Sequence, residues 1–167
     1  MRGKRKPVYF VFCEGASNKT ETTYLSHFKK TCSEYSLIVK STNHSDPKTM
    51  LDFAVSYSVS HGFKKSNDDQ IFLLCDVDTC QKRRCLMNME ILKRAEKKNA
   101  MILFSNPSFE IWFLNHFKYH SKNYRDQDEL IRELKKYLPD YEKNKDIYFF
   151  LPDIGKAIEN SKRQSME

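Results

Sequence analysis

Three acids stand where two short apolar runs stop. Val8-Tyr9-Phe10-Val11-Phe12-Cys13 gives way to Glu14-Gly15, and Ile71-Phe72-Leu73-Leu74-Cys75 gives way to Asp76-Val77-Asp78. Asp76 and Asp78 straddle one residue, so on an extended chain both carboxylates point the same way. Carboxylates gathered in one crevice repel one another unless a hard cation lies among them. One or two Mg2+ (or Mn2+) ions suit such a donor set, because magnesium takes few protein carboxylates and keeps waters. A pair of ions can stabilise both the attacking and the leaving oxygen of an in-line displacement at phosphorus. Gly15 lets the backbone turn sharply beside Glu14.

Further candidates surround these acids in the sequence. Lys19 follows Glu14 in the same loop and reads either as a cation for a phosphate or as a solvated loop lysine. Lys82-Arg83-Arg84 follows the paired aspartates closely and could hold a nucleic-acid strand by its phosphates, since cations at a helix start otherwise oppose the dipole. Glu110 reads as a metal ligand or water-orienting base, or equally as an acid complementing a helix dipole. Trp112, Phe113 and Phe117 have the spacing of core residues. His116 reads as exposed or capping, and Lys97-Lys98, Lys135-Lys136 and Lys143 to Lys145 as solvated faces.

The elements that must position these groups alternate. Strands are expected at residues 8–13, 37–39, 70–75 and 101–104. Helices are expected from Thr20 to about Ser33, from Asp46-Pro47 to near Gly62, and from Lys82 to Lys98. Asn106 is expected to cap a helix with Pro107 at its first position, running to about Tyr119. Asp126 to Leu138 is amphipathic, residues 147–151 form an edge strand or an apolar loop, and Ile154 to Lys162 a last helix. Alternation of this kind means an α/β fold with a parallel sheet, right-handed crossovers and ligands at the strands' carboxyl ends. One domain over residues 1–167 is expected, its α/β core at about 7–119 and a helical C-terminal part at about 120–167.

Composition narrows the class. Apolar residues make up 40% of the chain and aromatics 13%, which excludes a disordered protein. Lysine and arginine outnumber aspartate and glutamate 29 to 22, so the net charge of +7 favours anionic partners, nucleic acid first. The odd number of cysteines, 5, and the absence of C-x-x-C spacing point to reduced thiols in a cytoplasmic protein, Cys13 and Cys75 in the core. No stretch is long enough to span a membrane, and the basic residues before Val8 do not head a signal peptide. The sequence is neutral on self-association.

The ordered motifs resemble a known family. Glu14-Gly15 followed by Asp76-Val77-Asp78 looks like the Toprim domain of topoisomerases, bacterial primases and overcoming-lysogenization-defect nucleases. Cys13-Glu14-Gly15, Lys19-Thr20-Glu21 with Tyr24-Leu25, and above all the run from Ser105-Asn106-Pro107-Ser108-Phe109-Glu110 to Phe117, resemble the RloB family of phage-defence and abortive-infection proteins. The resemblance implies a Toprim-like, Rossmann-like four-stranded sheet flanked by helices. It implies metal-dependent phosphodiester cleavage of tRNA or DNA centred on Glu14, Asp76 and Asp78. It also places Glu21 as the loop's second acid and metal ligand, in a loop longer than the family's. An ATPase partner is implied by analogy, since the chain has no G-x-x-x-x-G-K-[ST] run. Two other readings compete. Asp76-Val77-Asp78-Thr79 matches the D-x-D-x-T of haloacid-dehalogenase-type phosphatases, with Ser105 binding phosphate. A catalytically degenerate module binding nucleic acid or a partner is the third.

Overall fold

A computed structural model of the chain describes residues 5–16, 19–29, 33–77 and 89–164. Four strands build one all-parallel sheet: β1 (Val8–Cys13), β2 (Ser36–Ser41), β3 (Gln70–Asp76) and β4 (Ala100–Ser105), in the order β2-β1-β3-β4. Parallel neighbours need a crossover. Helix α1 (Thr20–Ser26) lies between β1 and β2, α2 (Pro47–Ser60) between β2 and β3, and α3 (Met89–Lys97) ahead of β4. The chain steps to one side of β1 to make β2 and returns to the other side to make β3. Strand order therefore reverses between β1 and β3, the place where an open α/β sheet leaves a crevice at its carboxyl edge.

Alternation along the strands sorts two cores. Phe10 and Phe12 of β1, and Ile71, Leu73 and Cys75 of β3, pack under Met50, Leu51 and Ala54 of α2 and Ile91 and Ala95 of α3. Leu74 faces the second core, which joins Tyr24 of α1 to the helices α4 (Glu110–Phe117) and α5 (Gln127–Leu134), and the last helix, α6 (Ile154–Gln164), packs on α4. Phe113, Leu114, Leu130 and Leu134 are its buried centre. Asp69 pins the amino ends of the two central strands: its buried carboxylate accepts from the Val8 N–H and the Lys64 N–H, both at 2.8 Å, and from Arg5 at 2.6 Å. Burial opposes ionisation there, but these hydrogen bonds hold the carboxyl below its ordinary value. Among the described residues, no helix is long and apolar enough to cross a membrane.

Local differences from the sequence reading have physical causes. Helix α1 ends at Ser26 and passes into a 3-10 turn, His27–Lys29, well before Ser33. Lys19 holds the N-cap position, and Thr20, expected there, spends its hydroxyl on Asn144 instead. Asp46 does cap α2, accepting from the Thr49 N–H at 2.9 Å with Pro47 at the first position. Asn106 does not cap α4: the Asn106–Pro107 bond is cis and the helix begins at Glu110. Its first turn is set by the carbonyls of Ser108 and Phe109, which accept from Ile111 and Trp112. Residues 148–150 are a 3-10 turn and not an edge strand. Cys13 and Cys75 are buried thiols, while Cys32, Cys80 and Cys85 lie outside the described residues.

Candidate active site

The carboxyl ends of β1 and β3 bring Glu14 and Asp76 together. Cys13 is fully buried as the last residue of β1, Glu14 follows at the rim, and the Asp76 N–H donates to Glu14 Oε2 at 3.3 Å. This is the point where strand order reverses. Behind Glu14 the chain turns through Gly15 at φ +75°, and the Gly15 N–H donates to the His44 carbonyl at 2.9 Å. Asn43 N–H and Ser41 Oγ both donate to the Gly15 carbonyl, so the loop is stitched to the end of β2. The Lys19 ammonium lies where a Cβ on residue 15 would be. Glycine is favoured here by its backbone angle, while the flexible end of Lys19 could move aside for a side chain.

A second pair of acids lies beside the first. Glu21, in the opening turn of α1, is buried, and its carboxyl is raised above its ordinary value. Burial is the main cause and the charge of Glu110 adds to it, while Lys19 and Lys143 pull the other way. Cys13 links the two pairs. Burial pushes its thiol up, and the negative charges of Glu21 and Asp76 push it further. Such a thiol stays in its neutral form within the core.

Glu110 is enclosed, at 1% exposure. Its Oε2 accepts from Ser108 Oγ at 2.6 Å and Gln127 Nε2 at 3.0 Å, and its Oε1 accepts from the Tyr141 hydroxyl at 2.9 Å. Lys143 Nζ donates to Gln127 Oε1 at 2.8 Å, which brings a cation to the same wall. Asn144 closes the wall against α1: its N–H donates to Thr20 Oγ1 at 3.1 Å, and its Oδ1 accepts the Thr20 N–H at 3.3 Å. Residues from 108 to 144 therefore pack on the amino end of α1, next to the loop that carries Glu14 and Lys19.

Some sequence expectations hold here and others change. Lys143 is exposed, as expected, and its Nζ also donates to Gln127 Oε1. His116 is buried at 2% exposure, with Nδ1 on the Pro152 carbonyl at 2.8 Å, because α6 covers the side of α4 that carries it. Phe113 is core as expected, and the half-buried Trp112 and Phe117 pack against that core. Asp78, Lys82, Arg83 and Arg84 lie outside the described residues. Ser108, Gln127, Tyr141 and Asn144 went unread in the sequence. Tyr141 left one trace, a lone aromatic in the charged stretch Asp140 to Lys145.

The donors at the rim are carboxylate oxygens, the set that suits a hard divalent cation. Among the described residues no three His, Cys, Asp or Glu side chains form a ready metal cage. The Asp76 main chain meets the Glu14 carboxylate, which sets both acids at the carboxyl ends of neighbouring strands. Comparison with known families matches residues 9–167 to the model of the RloB-like protein family. Neither the curated proteins nor the solved structures give a match.

Proposed function

The chain belongs to the RloB-like family, and from that premise we propose that it is a metal-dependent nuclease cleaving the phosphodiester bonds of tRNA or DNA in phage defence. The observation that carries this reading is the contact of Glu14 with Asp76 at the reversal point of the sheet. Glu14 and Asp76 would hold Mg2+ or Mn2+, with Asp78 and Glu21 as the further ligands of the proposal. The ion supplies Lewis acidity and charge neutralisation at phosphorus when bound. The chain's own groups then do the rest. Lys19, over Gly15, and Lys143, on the opposite wall, present positive charge to a phosphate. Lys82, Arg83 and Arg84 belong to the same proposal as backbone contacts. Glu110, enclosed and bonded to Ser108, Gln127 and Tyr141, holds the wall in place and does not meet solvent. With no phosphate-loop motif in the chain, nucleotide-driven control belongs in this reading to a separate ATPase partner.

The test is cleavage of mixed tRNA and of single- and double-stranded DNA with magnesium. Glu14→Gln and Asp76→Asn should each reduce cleavage to background while leaving the melting temperature near that of the parent. Unchanged cleavage in both variants sinks the proposal. One observation favours the phosphatase alternative: the β3–β4 register sets Ser105 directly opposite Asp76. That alternative gives Glu14 no task, and a covalent aspartyl-phosphate trapped at Asp76 would establish it. The binding-module alternative predicts no magnesium heat in calorimetry with nucleic-acid binding retained.

A further inference from the structure

Phe149 and Phe150 stand adjacent on the 3-10 turn Tyr148–Phe150 at 81% and 69% exposure, the two most exposed large apolar side chains among the described residues. Their neighbour Tyr148 is anchored: its ring stacks on His27 at 4.2 Å and meets Tyr24 and Phe28 edge-on or tilted. The Phe149 ring meets His27 edge-on at 5.3 Å. His27 in turn is held by Asp146 at 2.8 Å. The turn is therefore a braced base carrying two rings outward into water. Exposed apolar surface of this kind marks a contact site.

Three features say what it contacts. Lys29, Lys143 and Lys145 are exposed on the segments that carry or flank this cluster, interleaved with the exposed acids Glu142 and Asp146, and the whole chain has a net charge of +7. The two rings offer roughly 300 Å², against about 800 Å² per partner for a standard protein interface. His27 lies at the far end of the single short helix that begins with Thr20 and Glu21, roughly 9 Å of helix rise from Glu21. We propose that Phe149 and Phe150 are a stacking platform for unpaired bases, so that single-stranded or looped nucleic acid is the substrate class presented to the acidic crevice. Aromatic rings stack every base without reading sequence, while nearby lysines hold the backbone. The purpose of the platform rests on the nuclease reading; its geometry does not.

The experiment is fluorescence anisotropy in EDTA, with a 12-nucleotide single strand, an abasic strand of equal length and a hairpin duplex. Binding without metal is separate from cleavage, so failure of the Glu14 and Asp76 tests would leave this result standing, and the reverse. The parent chain should bind the single strand at least about tenfold more tightly than the abasic strand. The Phe149→Ala/Phe150→Ala chain should lose that advantage, bind the abasic strand as the parent does, and be rescued by Phe149→Trp/Phe150→Trp. Phe150→Ala alone, which breaks no ring contact within the fold, should lose part of it. Equal parent affinity for the single and abasic strands, absent binding by the parent, or unchanged affinity in the alanine variants overturns the proposal. So does a parent dimer in sedimentation that the double variant dissolves without change in strand affinity, which would make the rings a contact between proteins.

Discussion

His116 shows what a single buried base does to this fold. A carbonyl can only accept, so the 2.8 Å contact with Pro152 puts the hydrogen on Nδ1 and leaves Nε2 to accept from the Tyr24 hydroxyl at 3.4 Å. Burial keeps that hydroxyl protonated, its pKa pushed up to about 12. The imidazole is thus built into the second core in its neutral form, and burial lowers its pKa. A base whose pKa is lower folded than unfolded contributes stability above the unfolded value, and loses it as pH falls through the folded one. The parent chain's urea midpoint should therefore drop as pH falls below about 6.5, and His116→Gln should flatten that part of the curve. An unchanged slope in the variant would assign the acid sensitivity elsewhere, with His120, whose pKa burial also lowers, the next group to replace. The sequence could not reveal this burial. His116 lies on the side of α4 opposite Leu114, and periodicity counts one buried stripe whereas α4 is covered by both α5 and α6.

At the scale of elements, the strands were legible because central parallel strands are apolar on both faces, and β1 and β3 read as continuous runs. The acid at each strand's end was equally legible. What joins the acids into a crevice was not, since Thr20 and Asn144 meet across 124 residues. No local pattern encodes a pairing at that separation. Even Asn144, held at φ 68°, reads locally as a turn residue and nothing more. The Thr20–Asn144 clamp makes its own prediction. Thr20→Val keeps shape and removes the hydroxyl, so it should cost about 1 kcal/mol in urea unfolding. The larger effect should be faster hydrogen exchange at the first amides of α1 and at Asn144, with the sheet amides unchanged. Uniform acceleration across the sheet would show that the clamp supports the whole fold and not the crevice alone.

For the whole molecule the decisive quantity is charge. On the proposed reading, a chain at +7 would draw a polyanion by its surroundings and admit it by its lysines. If Lys19, Lys29, Lys143 and Lys145 each meet a phosphate, log K for a single strand should fall against log salt with a slope of about −3. Titration of a 12-nucleotide strand from low to moderate salt measures it, and a flat line would reduce the charge to a solubility device. The wall that brings Lys143 to the crevice also sets a schedule. Thr20 leaves the ribosome long before Asn144, and at ~5–20 residues per second the interval is about 6–25 s. For the last part of that interval, about 2–8 s after Ser105 is made, the nascent chain holds all four strands yet lacks Tyr141, Lys143 and Asn144. Assembly of the crevice is therefore a late event in biosynthesis, timed by translation and not by the folding of the sheet.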